Sequence, residues 1–538
     1  MARVEHLRRL QEILAVFVRF GFSQAIEASG FGSYLENIRS IFIPKKKLAR
    51  LRIGQRLAGA FAELGPAFIK LGQFLSTRPD LIPESIATDL ATLQDEAPPV
   101  GFDKIEPILK EELGENYRRL TDIDPTPLAS ASIAQVHRAR LDGERVVIKI
   151  QKPDVGERIR TDLELLTLFA RSFAGIIRQF RPVETIRIFE REIRRELNFL
   201  NEYRNILRFD RFFKDDPWVV VPKIYRELCT DKILVMEEID GVKISDREGI
   251  IALGQKPKEI ARRGAHLILR QLFEFGFFHG DPHPGNIMVN RSGAITLIDF
   301  GIVGYLDDRT KDDLAEILIG SLYQETRRII YALEDLGVTE GLSDESGLER
   351  DIGELIDRIR NLPPGEIVLK GAIDEIISIV RSYELRFPPQ LFLLGRSLAM
   401  IEEIGSRLDP QFDVVGELGP YVQRFLKRRY RAERMLKKIG NQWVEVTSLL
   451  KILPGSLRRI LSRLAREEYR FSVDLKGTEP ISVSIERALN RLSLSILSGT
   501  LVVAAVILKN TVARVILLIM AAILFLGVVA GMVRSRML

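Results

Sequence analysis

The sequence predicts an α+β chain of two lobes, preceded by an all-helical extension and followed by a pair of apolar spans. Three observations predict it. A strand hairpin within 133–151 comes before long helical patterns, with a loop-rich junction at 279–305. Apolar residues recur at helical spacing through much of the first 120 residues. The last fifty residues hold two uncharged apolar runs of membrane-spanning length.

The 538 residues are ample for a large core and two to four structural units, and 46% hydrophobic with 28% charged is an ordinary globular mix with a slight apolar excess. A net charge of +6 is mild for this length. It hints at an anionic partner such as a phosphate or an acidic membrane, and no nucleic-acid partner is expected. A single cysteine, Cys229, excludes an intramolecular disulfide framework and a cysteine-based zinc site, which fits a reducing compartment. The first apolar run, Leu14 to Phe20, is short and broken by Arg19, so no signal peptide is visible and the body is expected in the cytosol.

Residues 1–45 read as an amphipathic helical start, with Leu7, Leu10, Leu14, Phe17 and Val18 at helical spacing between Arg8, Arg9 and Arg19. Such a helix either packs on its own protein or lies on a membrane surface. Helical patterning continues over 50–120, where Pro79, Pro83, Pro98 and Pro99 punctuate it. Residues 133–140 and 144–151 then read as strands joined by the turn Leu141-Asp-Gly-Glu144. Two long helices are expected near 155–178 and 182–212, with short strands at Val219–Val221 and Ile233–Met236. From 255 helix dominates to about 407, interrupted by short strands at Ile287–Val289 and Thr296–Ile298. The expected units are 1–120, 121–240, 241–410, a basic linker at 411–490, and 491–538.

Arg424, Lys427, Arg428, Arg429, Arg431, Arg434, Lys437 and Lys438 stand against Glu433 alone, either as a solvated helix face or as a contact for anionic head groups. Leu492–Leu508 and Val515–Val533, 17 and 19 residues without a charge, read as a transmembrane helical hairpin. A buried helical hairpin is the alternative. Arg487, Arg491, Arg534 and Arg536 outside, against Lys509 and Arg514 in the loop, favour both ends in the cytosol. Gly527 and Gly531 would let the two helices pack closely.

The strongest chemical signal is His279-Gly-Asp-Pro-His-Pro-Gly-Asn286, followed by Asp299-Phe-Gly301. Phosphoryl transfer needs a hard cation on the triphosphate, and Mg²⁺ takes oxygen ligands. Asn286 and Asp299 offer an amide oxygen and a carboxylate, while Asp281 offers a second carboxylate to orient or deprotonate a nucleophile. The five-residue step from Asp281 to Asn286 matches the spacing of a kinase catalytic loop. Lys149 ends the apolar run Val146-Val-Ile-Lys149, the form of a phosphate-contacting strand lysine. Taken alone such a lysine is a solvated charge, but the downstream motifs follow in the right order. It needs a glutamate partner, and Glu196-Leu-Asn-Phe-Leu-Asn-Glu202 offers two, expected about 120° apart on one helix. No glycine-rich loop precedes Lys149. Ala129, Ser130, Ala131, Ser132, Ile133, Ala134 and Gln135 stand there, small residues with less backbone freedom than glycine. His279 and His283 read as hydrogen-bonding residues that shape the loop, with a metal role as the alternative.

With Lys70-Leu-Gly-Gln73, the alanine-rich loop, Glu196-Leu-Asn198 and the two intact downstream motifs, the chain resembles the UbiB/ABC1/ADCK (AarF-like) atypical kinase family over nearly its whole length. The resemblance implies an atypical protein-kinase-like two-lobed fold. Lys149 would pair with Glu202 and touch nucleotide phosphates. Asp281 would hold the catalytic position, and Asn286 with Asp299 would hold Mg²⁺. Lys70 and Gln73 would belong to an extension that folds over the site and pairs with Glu196. The nucleotide-binding set would be residues 129–135, Lys149 and Glu237. Asn198 departs from the family's aspartate, which puts that residue's role in doubt.

The function so implied is a membrane-anchored atypical kinase or ATPase using ATP and Mg²⁺ in ubiquinone (isoprenoid quinone) biosynthesis. It would sit at the inner membrane of a bacterium, with lipid intermediates and quinone-biosynthesis proteins as partners. Three alternatives stand beside it. A small-molecule phosphotransferase shares the catalytic loop but not Lys70-Leu-Gly-Gln73. A protein kinase would carry a glycine-rich loop. A non-enzymatic nucleotide-binding scaffold would not need Lys149, Asp281, Asn286 and Asp299 together. No flavin or iron motif supports a hydroxylase.

Overall fold

In a computed structural model, the described residues are 2–31, 51–78, 81–93, 97–175, 181–339, 342–361 and 369–429, with single positions 520 and 522. Residues 1–435 form one compact unit and 436–538 a second. The expected spans 492–508 and 515–533 and the basic residues beyond 429 lie outside the described residues, apart from positions 520 and 522. Among the described residues no helix is long and apolar enough to cross a membrane.

The extension begins with α1 (Ala2–Arg19) and the short α2 (Ser23–Ile26). It continues with α3 (Ile53–Leu64), α4 (Pro66–Ser76), α5 (Glu84–Leu90) and α6 (Phe102–Leu113). Leu10, Leu14 and Val18 are buried in a core that also holds Phe61, Phe68 and Phe189. Apart from Leu7, which is exposed, the apolar stripe of α1 is therefore covered by its own protein. Arg9 ties it down: Nε lies 2.7 Å from Asp162 Oδ1, and Nη2 donates to Leu64 O at 2.7 Å.

The first lobe is a five-stranded antiparallel sheet. Strands β1 (Leu120–Thr121) and β2 (Ala129–Ser130) both pair with β3 (Ala134–Leu141), and the order runs on through β4 (Glu144–Gln151) to β6 (Ile233–Glu237), all edges antiparallel. Between β4 and β6 lie α7 (Val155–Phe173), α8 (Pro182–Glu196), α9 (Phe199–Phe213) and β5 (Val219–Val220). Alternation along β4 sends Val146, Ile148 and Ile150 into one core and Val147 into the core shared with α9. Lys149 shares the face of Val147, which is how it meets α9. A one-residue slip would turn it away.

Strand β4 covers the expected 144–151, with Lys149 two residues before its end and Gln151 opposite Ala134. One expectation needs correction. The single helix expected at 182–212 is two helices. Asn198 is in extended backbone, and its Oδ1 accepts from Leu200 N–H at 3.0 Å, capping α9. An Asx side chain competing for backbone donors breaks the helix there. The 120° separation expected for Glu196 and Glu202 therefore does not apply.

The second lobe carries β7 (Gly241–Lys243), α10 (Arg247–Ala252), α11 (Pro257–Leu269), β8 (Phe277–His279), β9 (Ile287–Asn290), β10 (Ile295–Leu297) and β11 (Val303–Tyr305). Helices α12 (Asp308–Tyr323), α13 (Thr326–Asp335), α14 (Glu345–Arg360), α15 (Leu369–Ser382), α16 (Pro389–Leu408) and α17 (Val414–Arg429) follow. Strands β5, β10, β9 and β7 make one small sheet, and β8 pairs with β11 in another. The β8–β11 pairing sets Val303 opposite His279, bringing the segments around 280 and 300 together. On α17, Arg424 lies over the Tyr421 ring at 4.6 Å and 4.0 Å from Glu274, while Lys427 and Arg428 are exposed.

Candidate active site

The site forms where β4, α9 and the loops after β8 and β10 converge. Lys149 Nζ lies 2.8 Å from Glu202 Oε2, 3.1 Å from Oε1 and 3.7 Å from Asp299 Oδ1. Glu202 sits in the first turn of α9, with its side chain 5% exposed, and its Oε1 also accepts from Phe300 N–H at 3.2 Å. Asn205, one turn on, donates to Phe300 O at 2.8 Å. Helix α9 is thus bonded to both the strand lysine and the Asp299-Phe-Gly301 segment. Phe300 itself is buried, with its ring 5.1 Å from Phe209 and 6.2 Å from His279.

Burial disfavours the Lys149 ammonium, yet the nearby Asp299 and Glu202 carboxylates outweigh it and hold the lysine above its ordinary pKa. Burial would raise Asp299, but Lys149 and the Gly301 N–H, 2.8 Å from its Oδ1, hold that carboxyl far below its ordinary range. Lys70 adds to that pull, so the extension reaches the site electrostatically.

His279 organises the loop that follows β8. Its Nδ1 accepts from Asp281 N–H at 3.0 Å, so the proton is on Nε2, which donates to Asp299 O. One neutral imidazole therefore joins the two acidic positions. His279 is held in turn by Gln271 Oε1, which accepts its N–H at 2.8 Å, and by Ser397, which donates to its carbonyl at 3.1 Å. His283 caps the turn Pro284–Asn286, accepting from Gly285 N–H at 3.1 Å. Both histidines do the loop-shaping expected of them. Asn286 Nδ2 points to Asp281 O at 3.4 Å, which turns Oδ1 the other way.

Among the described residues no group of three or more His, Cys, Asp or Glu could enclose a metal. Asn286 and Asp299 would suit Mg²⁺ differently, as two oxygen donors that leave the rest of the shell to phosphate oxygens and water. Asp299 fits this role: its carboxyl is ionised, 45% exposed and bonded to protein through one oxygen.

The extension meets the site at two places. Lys70 Nζ lies 2.5 Å from Glu196 Oε1 at the end of α8, and Gln73 Nε2 points to Leu93 O at 3.4 Å. Glu196 and Glu202 thus serve Lys70 and Lys149 respectively, from separate helices. Residues 97–100 run along the alanine-rich loop. Ala97 N–H donates to Ser130 O at 3.1 Å, Lys152 Nζ to Pro98 O at 3.0 Å, and Val100 N–H to Gln135 Oε1 at 3.0 Å. In that loop Ala129 is exposed and Ser130 and Ala131 are half-buried, while Ser132, Ile133, Ala134 and Gln135 are buried. Gln135 donates to Val100 O and His137 Nε2, at 3.1 and 2.7 Å. Glu237 ends β6, exposed, and its Oε2 accepts from Lys223 N–H at 3.2 Å.

One residue here has no motif to announce it. Arg396, from α16, places Nη2 2.7 Å from Asp281 Oδ1. A separate cavity of about 470 Å³ is lined by Ile108, Gln151, Arg160, Arg194 and Lys232 and includes none of Lys149, Asp281, Asn286 or Asp299.

Residues 92–333 match the ABC1 atypical kinase-like domain, and residues 352–413 the UbiB helical domain. The chain is 33% identical over 452 residues to the "Probable protein kinase UbiB" of Shewanella piezotolerans, covering 82% of each. It is 31% identical over 513 residues to an "Uncharacterized protein in hydrogenase 1 5'region" of Clostridium pasteurianum, covering 94% of this chain and 92% of that one. Rv3197 of Mycobacterium tuberculosis, solved with erythromycin, superposes with a TM-score of 0.45 at 25% identity, over 66% of this chain and 93% of that one.

Proposed function

Because the chain belongs to the UbiB type of the ABC1 atypical kinase family, we propose that it is a magnesium- and ATP-dependent atypical kinase or ATPase of isoprenoid quinone biosynthesis. The observation that carries the reading is the cluster of Lys149, Glu202 and Asp299 within 3.7 Å, joined to Asp281 through His279. Mg-ATP, when bound, supplies the transferable phosphoryl group. Lys149 neutralises phosphate charge and is oriented by Glu202. Asn286 and Asp299 hold the cation. Asp281 receives the proton of the attacking hydroxyl or water.

The relatives named UbiB support the tie to ubiquinone. The uncharged runs 492–508 and 515–533 support anchorage in a bacterial inner membrane, with the catalytic body on the cytosolic side. Lipid intermediates are the partners this placement favours, either phosphorylated or lifted from the bilayer, with quinone-biosynthesis proteins alongside.

The test is phosphate release from ATP by the purified full chain, with and without liposomes and a soluble phenolic quinone-precursor mimic, beside Asp281→Asn. Lipid-stimulated turnover that the variant loses is the expected result. Nucleotide binding without turnover under any condition would instead make the chain a nucleotide-switched scaffold.

A further inference from the structure

The catalytic loop of this chain has a gap in its charge. Phosphoryl transfer spreads negative charge over three equatorial oxygens, and cations aimed at them carry much of the catalysis. Between Asp281 and Asn286 stand Pro282, His283, Pro284 and Gly285, none of them lysine or arginine. Two nearby lysines are engaged on the first-lobe side, Lys149 with Glu202 and Lys70 with Glu196.

Arg396 fills that gap from another part of the chain. Its guanidinium is 2.7 Å from Asp281 Oδ1, yet its side chain is 32% exposed and Asp281 is 30% exposed. Neither side chain of the pair is buried, so both can meet a ligand beside Asp281. The position of Arg396 is fixed from behind, because the neighbouring Ser397 is fully buried and donates to His279 O at 3.1 Å. An arginine offers five donors in a planar fork, enough to keep Asp281 and still reach a phosphoryl oxygen.

Resting on the kinase reading above, we propose that Arg396 is a catalytic cation of the phosphoryl-transfer step, delivered by α16 to the side of Asp281. In that step the acceptor oxygen, of a hydroxyl or of water, forms a bond to the terminal phosphorus. The bond from phosphorus to the bridging oxygen breaks, and its electron pair leaves on ADP. Asp281 takes the acceptor proton, while Arg396 donates to the oxygens of the group in flight.

The experiment compares the wild-type full chain with Arg396→Ala and Arg396→Lys. Affinity for Mg-ADP is measured with and without aluminium fluoride, which mimics the transferring phosphoryl group, alongside turnover and thermal melting. Wild type should bind Mg-ADP more tightly with aluminium fluoride. Arg396→Ala should melt normally and bind Mg-ADP alone normally, but lose that tightening and about 10²–10³-fold in turnover. Arg396→Lys should keep part of both, and added guanidinium should partly rescue Arg396→Ala. Undiminished tightening in Arg396→Ala overturns the proposal, as does a rise in turnover, which would make Arg396 a restraint on Asp281. If wild type binds no magnesium nucleotide at all, the kinase reading falls and this proposal with it.

Discussion

Lys149 and Glu202 share one buried charge balance, so removing either partner has a direction that depends on pH. Lys149→Met leaves Glu202, 5% exposed, without its ammonium and with the Phe300 N–H still donating to Oε1. Burial already holds that carboxyl above its ordinary 4.5, and loss of the ammonium pushes it further. A carboxyl whose folded pKa is raised takes up a proton on folding. Its contribution is present below its unfolded pKa and is lost as pH rises through the folded one. Denaturant titration of Lys149→Met should therefore show a loss of about 3–5 kcal/mol at pH 8 and a smaller loss near pH 5. Equal losses at both would contradict the pairing. Lys149, Asp281, Asn286 and Asp299 were legible in the sequence because each stands in a short motif of its own and the motifs follow in a restrictive order. Arg396 was not. It lies in a helix whose apolar periodicity says only that it packs, and its meeting with Asp281 spans 115 residues.

At the scale of elements, the break between α8 and α9 decides which glutamate serves which lysine. A long amphipathic pattern concealed it, although an asparagine followed by an apolar residue is a recognised helix start. The strands of two or three residues at 120, 129, 241, 277 and 303 escaped for a different reason: alternation needs more residues than they have. Asn198→Ala removes the acceptor for Leu200 N–H and should cost about 1 kcal/mol of stability, whereas Asn198→Asp should keep the cap. Hydrogen exchange at the start of α9 reads both, and protection unchanged in Asn198→Ala would mean the cap is idle. The extension also touches α16 directly. Arg78, just past α4, lies 5.7 Å from the centre of the Phe392 ring, one helical turn before Arg396.

On the scale of the whole molecule, the first 435 residues fold an extension over the first lobe and close the second lobe with helices. That two-lobed outline was legible because strand and helix periods differ so clearly. The amphipathic α1 was ambiguous from sequence, since an apolar stripe does not say what covers it. Asp162 and the core around Phe68 are its partners here. The candidate anchor rests on charge-free length alone. Deleting 490–538 should release the chain from membranes into the soluble fraction, and persistent tight association would shift the anchor elsewhere in the chain.

Calorimetric titration of an ATP analogue with and without Mg²⁺ tests directly whether this cleft holds a nucleotide through magnesium. Wild type should bind with an affinity that depends strongly on the cation, and Asp299→Asn should lose that dependence. If Asp299→Asn binds the magnesium complex as tightly as wild type, the assignment of Asp299 to the metal is wrong.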